Sequence, residues 1–254
     1  MNDATVIILA RAGSKGVPGK NTAPVADRPC IAWTIDAALD AQRAGAVGRI
    51  VVSTDDAGAM LIARAMSVEV VVRPTELASD AARVDDAARH AMRSIDGIEV
   101  NELTKFHPIV ILYANVPARP RGLIERATAL MRRTHCHSVQ SYSPVGKHHP
   151  WWTARVDAAG AVAAWEGDVL NHGVYRRQQL PPAFIPDGGV LVVCRAALML
   201  DVSGAQAGPH AFFGTDRRGV VNGEGEVVDI DSPIDLVVAD AVLRARRTQE
   251  LRAA

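Results

Sequence analysis

The stretch Thr5-Val6-Ile7-Ile8-Leu9-Ala10-Arg11-Ala12-Gly13-Ser14-Lys15-Gly16-Val17-Pro18-Gly19-Lys20-Asn21 decides how this chain is read. Its first half is an unbroken apolar, β-branched run, the pattern of a strand buried on both faces. Its second half is a glycine-rich loop carrying Arg11, Lys15 and Lys20, with no acid before Asp27. A buried strand that empties into exposed backbone N–H groups and three cations builds a pocket for an anion, and a polyphosphate fits it best. Two familiar loops are excluded by spacing. Glycines at 13, 16 and 19 do not make Gly-x-Gly-x-x-Gly, and Lys20 precedes Asn21 where a P-loop needs Ser or Thr.

Working outward, similar apolar runs recur at Arg49 to Ser53, Val68 to Val72, Pro108 to Tyr113, Ser138 to Tyr142, Val190 to Cys194 and Glu226 to Ile230, and each predicts a strand. Pro29 opens a segment in which Ile31, Ile35, Ala38, Leu39 and Gln42 share one face, so a helix is expected over 29–44. Further helices are expected over 57–66, 82–95, 121–133 and 232–247. Strand and helix alternate through the first 140 residues. The expected fold class is therefore α/β, a Rossmann-like, mostly parallel sheet with helices on both faces, which binds ligands beyond the carboxyl ends of its strands. The loop from Arg11 to Asn21 sits at such an end.

The alternation breaks over 143–186, which holds Pro144, Pro150, Pro181, Pro182 and Pro186, three of the four tryptophans, and a short hairpin-like piece over 157–166. We read 1–254 as one domain with 143–186 as an inserted lobe, serving either as a dimer contact or as a lid. The 254 residues are 48% hydrophobic and 22% charged, enough for a full core, and their formal net charge of zero leaves no global field for nucleic acid or an anionic membrane. No run is long enough to cross a bilayer and no secretion signal is evident, so a cytoplasmic location is expected. Cys30, Cys136 and Cys194 are isolated and read as buried small hydrophobes. His148 and His149, like His135 and His137 around Cys136, fit no transition-metal ligand spacing.

The segment from Ala10 to Asn21 resembles the signature of the N-acylneuraminate cytidylyltransferases, the enzymes that activate sialic acid and related sugar acids. Val51-Val52-Ser53-Thr54-Asp55-Asp56 follows as it does in that family, then Arg73-Pro74-Thr75-Glu76-Leu77-Ala78-Ser79-Asp80. Arg177-Gln178-Gln179-Leu180-Pro181 with Phe184 and Gly188, and Asp229-Ile230-Asp231-Ser232-Pro233, complete the order. The resemblance covers essentially the whole chain and implies a nucleotide-diphospho-sugar transferase-like fold. It implies that Arg11 and Lys20 grip a CTP triphosphate, that Ser14 and Asn21 contact phosphate and nucleoside, and that Arg73 is the cytosine-side arginine with Ser79 in the adjoining wall. Ala10, Gly13 and Lys15 complete the nucleotide-binding set.

These roles make chemical sense. Nucleotidyl transfer needs cations on the departing pyrophosphate, where negative charge accumulates, and each charge-assisted contact is worth roughly 1.5–3 kcal/mol. Asp229 and Asp231, with Ile230 between them at the end of the last expected strand, would share a face and hold a magnesium ion. Ser232 and Asp235 can cap the following helix and leave both acids available. By resemblance, one of the pair also takes the proton from the attacking oxygen, so Arg11, Lys20, Asp229 and Asp231 are the candidate catalytic residues.

The acceptor end departs from the family. Where relatives show Leu-Gln-Pro-Thr-Ser-Pro-Leu-Arg, this chain reads Leu112-Tyr113-Ala114-Asn115-Val116-Pro117-Ala118-Arg119, and the hydroxyl residues usual after the Ser-Asp pair are replaced by Arg83 and Val84. Tyr113, Asn115, Arg119, Lys147, Arg177 and Gln178 are the candidate acceptor-binding residues, with Arg177 and Lys147 expected to hold a carboxylate, within one chain or across a dimer interface. The expected activity is a magnesium-dependent cytidylyltransferase joining CTP to a nonulosonic acid, with a smaller anionic acceptor such as a phosphonate as the alternative. A non-catalytic nucleotide-binding regulator on the same fold is the reading from another class, and the acid pair speaks against it.

Overall fold

A computed structural model of the protein describes residues 3–13, 15–79, 81–95 and 104–253. Ser14 and Asp80 lie outside the described residues. The strands are β1 (Ala4–Ala10), β2 (Pro24–Val25), β3 (Arg28–Pro29), β4 (Val47–Thr54), β5 (Glu69–Val72), β6 (Pro108–Tyr113), β7 (Ser138–Pro144), β8 (Ala154–Val156), β9 (Val162–Ala164), β10 (Phe184–Cys194) and β11 (Arg217–Val221). The helices are α1 (Cys30–Arg43), α2 (Ala57–Ala65), α3 (Val84–Ile95), α4 (Leu123–Thr134), α5 (Arg195–Leu198) and α6 (Pro233–Ala253).

Seven strands form one sheet in the order β11-β7-β10-β6-β1-β4-β5. All pair in parallel except β10, which runs antiparallel to both β6 and β7. β1 occupies the middle and every one of its residues is buried. Its alternation serves two cores. Val6 and Ile8 pack with Ile31 and Ile35 of α1, Ala63 of α2 and Met131 of α4, whereas Ile7 and Leu9 pack with Ala88 and Met92 of α3. Helices on both faces leave the β1 carboxyl end as the place where loops meet.

The expected strand over 226–230 does not join the sheet. Ala118 and Val228 form a lone antiparallel bridge, and Ile230 N–H donates to the Asn115 carbonyl at 2.9 Å. Pro117, in the partner segment, has no N–H to extend the ladder. The sheet edge is taken instead by β11, which the sequence reading had not marked as a strand. The lobe after β7 carries the small β8–β9 hairpin, residue 154 facing 164 and residue 156 facing 162, before the chain re-enters the sheet at β10.

Candidate active site

A third apolar cluster assembles the site. Val17 of the opening loop packs with Val25, Cys30, Ala118, Val228 and Ile230, and with Ala239 and Leu243 of α6. One buried valine thus carries a cationic loop onto the acidic segment 229–231. Hydrogen bonds complete the seating: Asn21 Nδ2 donates to the Arg11 carbonyl at 2.8 Å, and Ala12 N–H donates to the Asp55 carboxylate at 2.9 Å. A Cβ on Gly16 would come within 2.1 Å of the Asp231 carbonyl, so this glycine sets how closely loop and acid segment approach. Gly13, named in the sequence reading, faces open space at its Cβ position. Gly16 was not singled out, since a close approach leaves no signal in a lone glycine.

The Lys20 ammonium donates to an Asp231 carboxylate oxygen and to the Ile230 carbonyl, both at 2.8 Å. Asn115 Nδ2 donates to Asp229 Oδ1 and, at 3.2 Å, to the Ile230 carbonyl. Asp229 is part-buried, and burial, reinforced by the Asp231 charge, pushes its carboxyl up to about 6. The Asp235 carboxylate accepts from the N–H and hydroxyl of Ser232, both at 2.7 Å, and from Asp231 N–H at 3.1 Å, capping α6.

Above these residues opens a cleft of about 130 Å³ lined by Arg11, Lys20, Asn21, Arg73, Ser79, Tyr113 and Asn115 among the candidates. Leu77, Ala82, Arg83 and Val84 line it as well, and among the described residues no carboxylate does. Arg73 is buried; its Nη2 donates to the Ser53 carbonyl at 2.8 Å, and desolvation lowers its pKa. Tyr113 has its phenol raised to about 12, first by burial and then by Asp229. Ala10 is a buried strand end and can contribute backbone alone, and Lys15 lies exposed on the loop outside the cleft lining.

Arg119 stands apart from the cleft. It is buried, and its guanidinium donates to the carbonyls of Gly189 at 2.7 Å, Tyr113 at 2.9 Å and Val116, and to the Thr34 hydroxyl at 2.8 Å. With four bonds inside the fold it braces the 113–116 turn, and it does not line the cleft. Burial lowers its pKa to about 10. Lys147, Arg177 and Gln178 are exposed on the lobe, where Arg177 pairs with Glu224 at 2.9 Å; the structure does not bring them to the cleft of the same chain.

Residues 5–101 match the family model described as cytidylyltransferase. Over those residues the chain is similar to the cytidylyltransferases. It is 37% identical over 248 residues to an N-acylneuraminate cytidylyltransferase of Escherichia coli, covering 96% of this chain and 53% of the relative. To the protein of that name from Streptococcus agalactiae it is 31% identical over 188 residues, 73% of this chain and 42% of the relative. The chain thus spans about half the length of these two. A CMP-N,N'-diacetyllegionaminic acid synthase of Legionella pneumophila is 27% identical over 93% of this chain and 94% of its own. Among solved structures, a CMP:2-keto-3-deoxy-manno-octonic acid synthetase complexed with CTP shares the fold, with a TM-score of 0.67 and 18% identity over 96% of this chain and 99% of that one.

Proposed function

We propose that the protein transfers a cytidylyl group from CTP to an acidic sugar of the nonulosonic type. The observation that carries this reading is the cation-lined cleft meeting the Asp229–Asp231 segment at one end. The acceptor hydroxyl oxygen attacks the α-phosphorus, the bond between the α-phosphorus and the bridging oxygen breaks, and pyrophosphate leaves with the bonding pair. The acceptor's proton passes to one of the two aspartates. Arg11 and Lys20 offset the charge that accumulates on pyrophosphate. The relatives' names, which include sialic, legionaminic and 2-keto-3-deoxy-manno-octonic acids, support a sugar acid as acceptor.

The donor set suits magnesium. Two carboxylates with hard oxygen donors are what magnesium takes beside substrate phosphates, and no group of three or more His, Cys, Asp or Glu side chains stands together among the described residues. Asp229 and Asp231 would hold the ion, which when bound supplies charge neutralisation at the phosphates. The lobe exposes Val156, Val162, Trp165, Val169 and Tyr175, an apolar surface that supports a homodimer. No helix among the described residues is long and apolar enough to cross a membrane, and we place the activity in the cytoplasm.

The test is pyrophosphate release with each of the four nucleoside triphosphates against N-acetylneuraminic, N,N'-diacetyllegionaminic and 2-keto-3-deoxy-manno-octonic acids. Release with CTP and one of these acids, at least tenfold above UTP, is expected. Equal rates with CTP and UTP, or no release with any acid, would overturn the reading.

A further inference from the structure

We propose that Arg83 holds the acceptor's carboxylate, an assignment that rests on the cytidylyl-transfer reading. Four cations line the cleft: Arg11, Lys20, Arg73 and Arg83. The first two belong to the loop that faces the phosphates. Arg73 follows β5 and is fastened to Ser53 of β4, so it stands on the flank of the sheet beyond β1 where β4 and β5 lie. Arg83 precedes α3, which packs on β1, β4 and β5, but its guanidinium reaches toward the other flank. Its Nη2 donates at 3.2 Å to the carbonyl of Gly208, in the segment that follows β10 and α5, and β10 lies beside β6 on the side of β1 opposite to β4. Tyr113 and Asn115, at the end of β6, line the cleft on that same side.

Arg83 is also held in one orientation. Its Nε and Nη2 donate to the two oxygens of Asp85 at 3.0 and 2.9 Å. Asp85 is buried and is fixed in turn by Arg89 at 2.8 Å, whose Nη1 donates to the Leu198 carbonyl at 2.9 Å. A cation just before the first turn of α3 stands against the helix dipole, and Asp85 and Asp86 offset that cost. The Arg83 side chain remains 42% accessible, and its Nη1 makes no hydrogen bond among the described residues. A guanidinium braced on one edge and open on the other suits a carboxylate. The cations expected in this role stand elsewhere: Arg119 is consumed within the fold, and Lys147 and Arg177 lie on the lobe.

The experiment compares wild type with Arg83→Ala and Arg83→Lys, using the three sugar acids above and the methyl ester of whichever acid turns over. Arg83→Ala should raise the acceptor KM at least tenfold and leave the CTP KM within twofold, and Arg83→Lys should recover part of the loss. The methyl ester should be as poor a substrate for wild type as the free acid is for Arg83→Ala, and the variant should show no further loss with it. A CTP KM raised tenfold with an unchanged acceptor KM would overturn the proposal and make Arg83 a nucleotide residue. Equilibrium binding keeps the two readings apart: a wild type that binds CTP and one of the acids, with Arg83→Ala binding that acid as tightly, contradicts the Arg83 assignment alone, and a wild type that binds neither CTP nor any acid overturns the proposed function as well.

Discussion

Lys20 reaches across from the opening loop to Asp231, 211 residues further along, and donates at 2.8 Å to its carboxylate and to the carbonyl of Ile230. The Asp231 side chain is 74% exposed, so the ion pair itself contributes little to stability, on the order of 0–1 kcal/mol. Its weight is functional. Lys20→Met should cost about 10²–10³-fold in kcat/KM for CTP, the loss typical of removing one charge-stabilising donor, while the thermal midpoint moves little. Steady-state pyrophosphate release and a melting curve on the same sample check both halves.

Gly16→Ala tests how the loop is seated. A methyl group 2.1 Å from the Asp231 carbonyl forces loop and acid segment apart, whereas Gly13→Ala meets nothing within 4 Å. We expect Gly16→Ala to lower kcat/KM by more than tenfold and to destabilise the fold by roughly 1–3 kcal/mol as an overpacking change. Gly13→Ala should leave the unfolding midpoint in urea unchanged. Equal urea midpoints for both variants would refute the close approach.

Arg119→Ala should behave as a core mutation. Four acceptors lose their donor at once, and the expected cost is about 3–5 kcal/mol, read as a shift of the urea midpoint. Arg119→Lys keeps the charge but not the fork and should recover only part of it. A selective rise in acceptor KM at unchanged stability would restore the binding role that the sequence suggested.

That sequence reading succeeded where burial writes itself in composition. The β-branched runs of β1, β4 and β6 and the spacing of Ile31, Ile35 and Ala38 in α1 are consequences of facing a core, and their elements lie within a few residues of expectation. It failed where the partner decides. Glu226 to Ile230 has the composition of a strand but meets a segment containing Pro117, and β11 begins Arg-Arg-Gly because an edge strand can stay exposed. Within the site, Arg11 and Lys20 were legible as a cation-rich loop and Asn21, Arg73 and Ser79 through the family resemblance, and all five line one cleft. The partners of Arg119 and Arg83 and the clearance of Gly16 were not legible, since an arginine's donors and a glycine's clearance depend on segments up to some two hundred residues away.

Asp229 stores strain that pH reveals. Its carboxyl is raised from 3.8 to about 6, so between those values the folded protein binds the proton that the unfolded chain has released. Its contribution to stability therefore falls as pH rises from about 4 to about 6, and the full cost persists at higher pH. Asp229→Asn should stabilise the metal-free protein by roughly 1–3 kcal/mol at pH 7.5 and by nearly nothing at pH 4, each as a difference in urea unfolding between variant and wild type. A variant less stable than wild type at pH 7.5 would contradict the burial of this charge.

The central claim is that the acid segment at the end of the cleft performs the transfer of a nucleotide held by the loop. The most direct measurement follows pyrophosphate release and CTP binding together in the double variant Asp229→Asn, Asp231→Asn. The account predicts that release with CTP and the preferred sugar acid falls by at least a thousandfold while CTP still binds within about tenfold of wild type. Turnover at the wild-type rate in the double variant would contradict it.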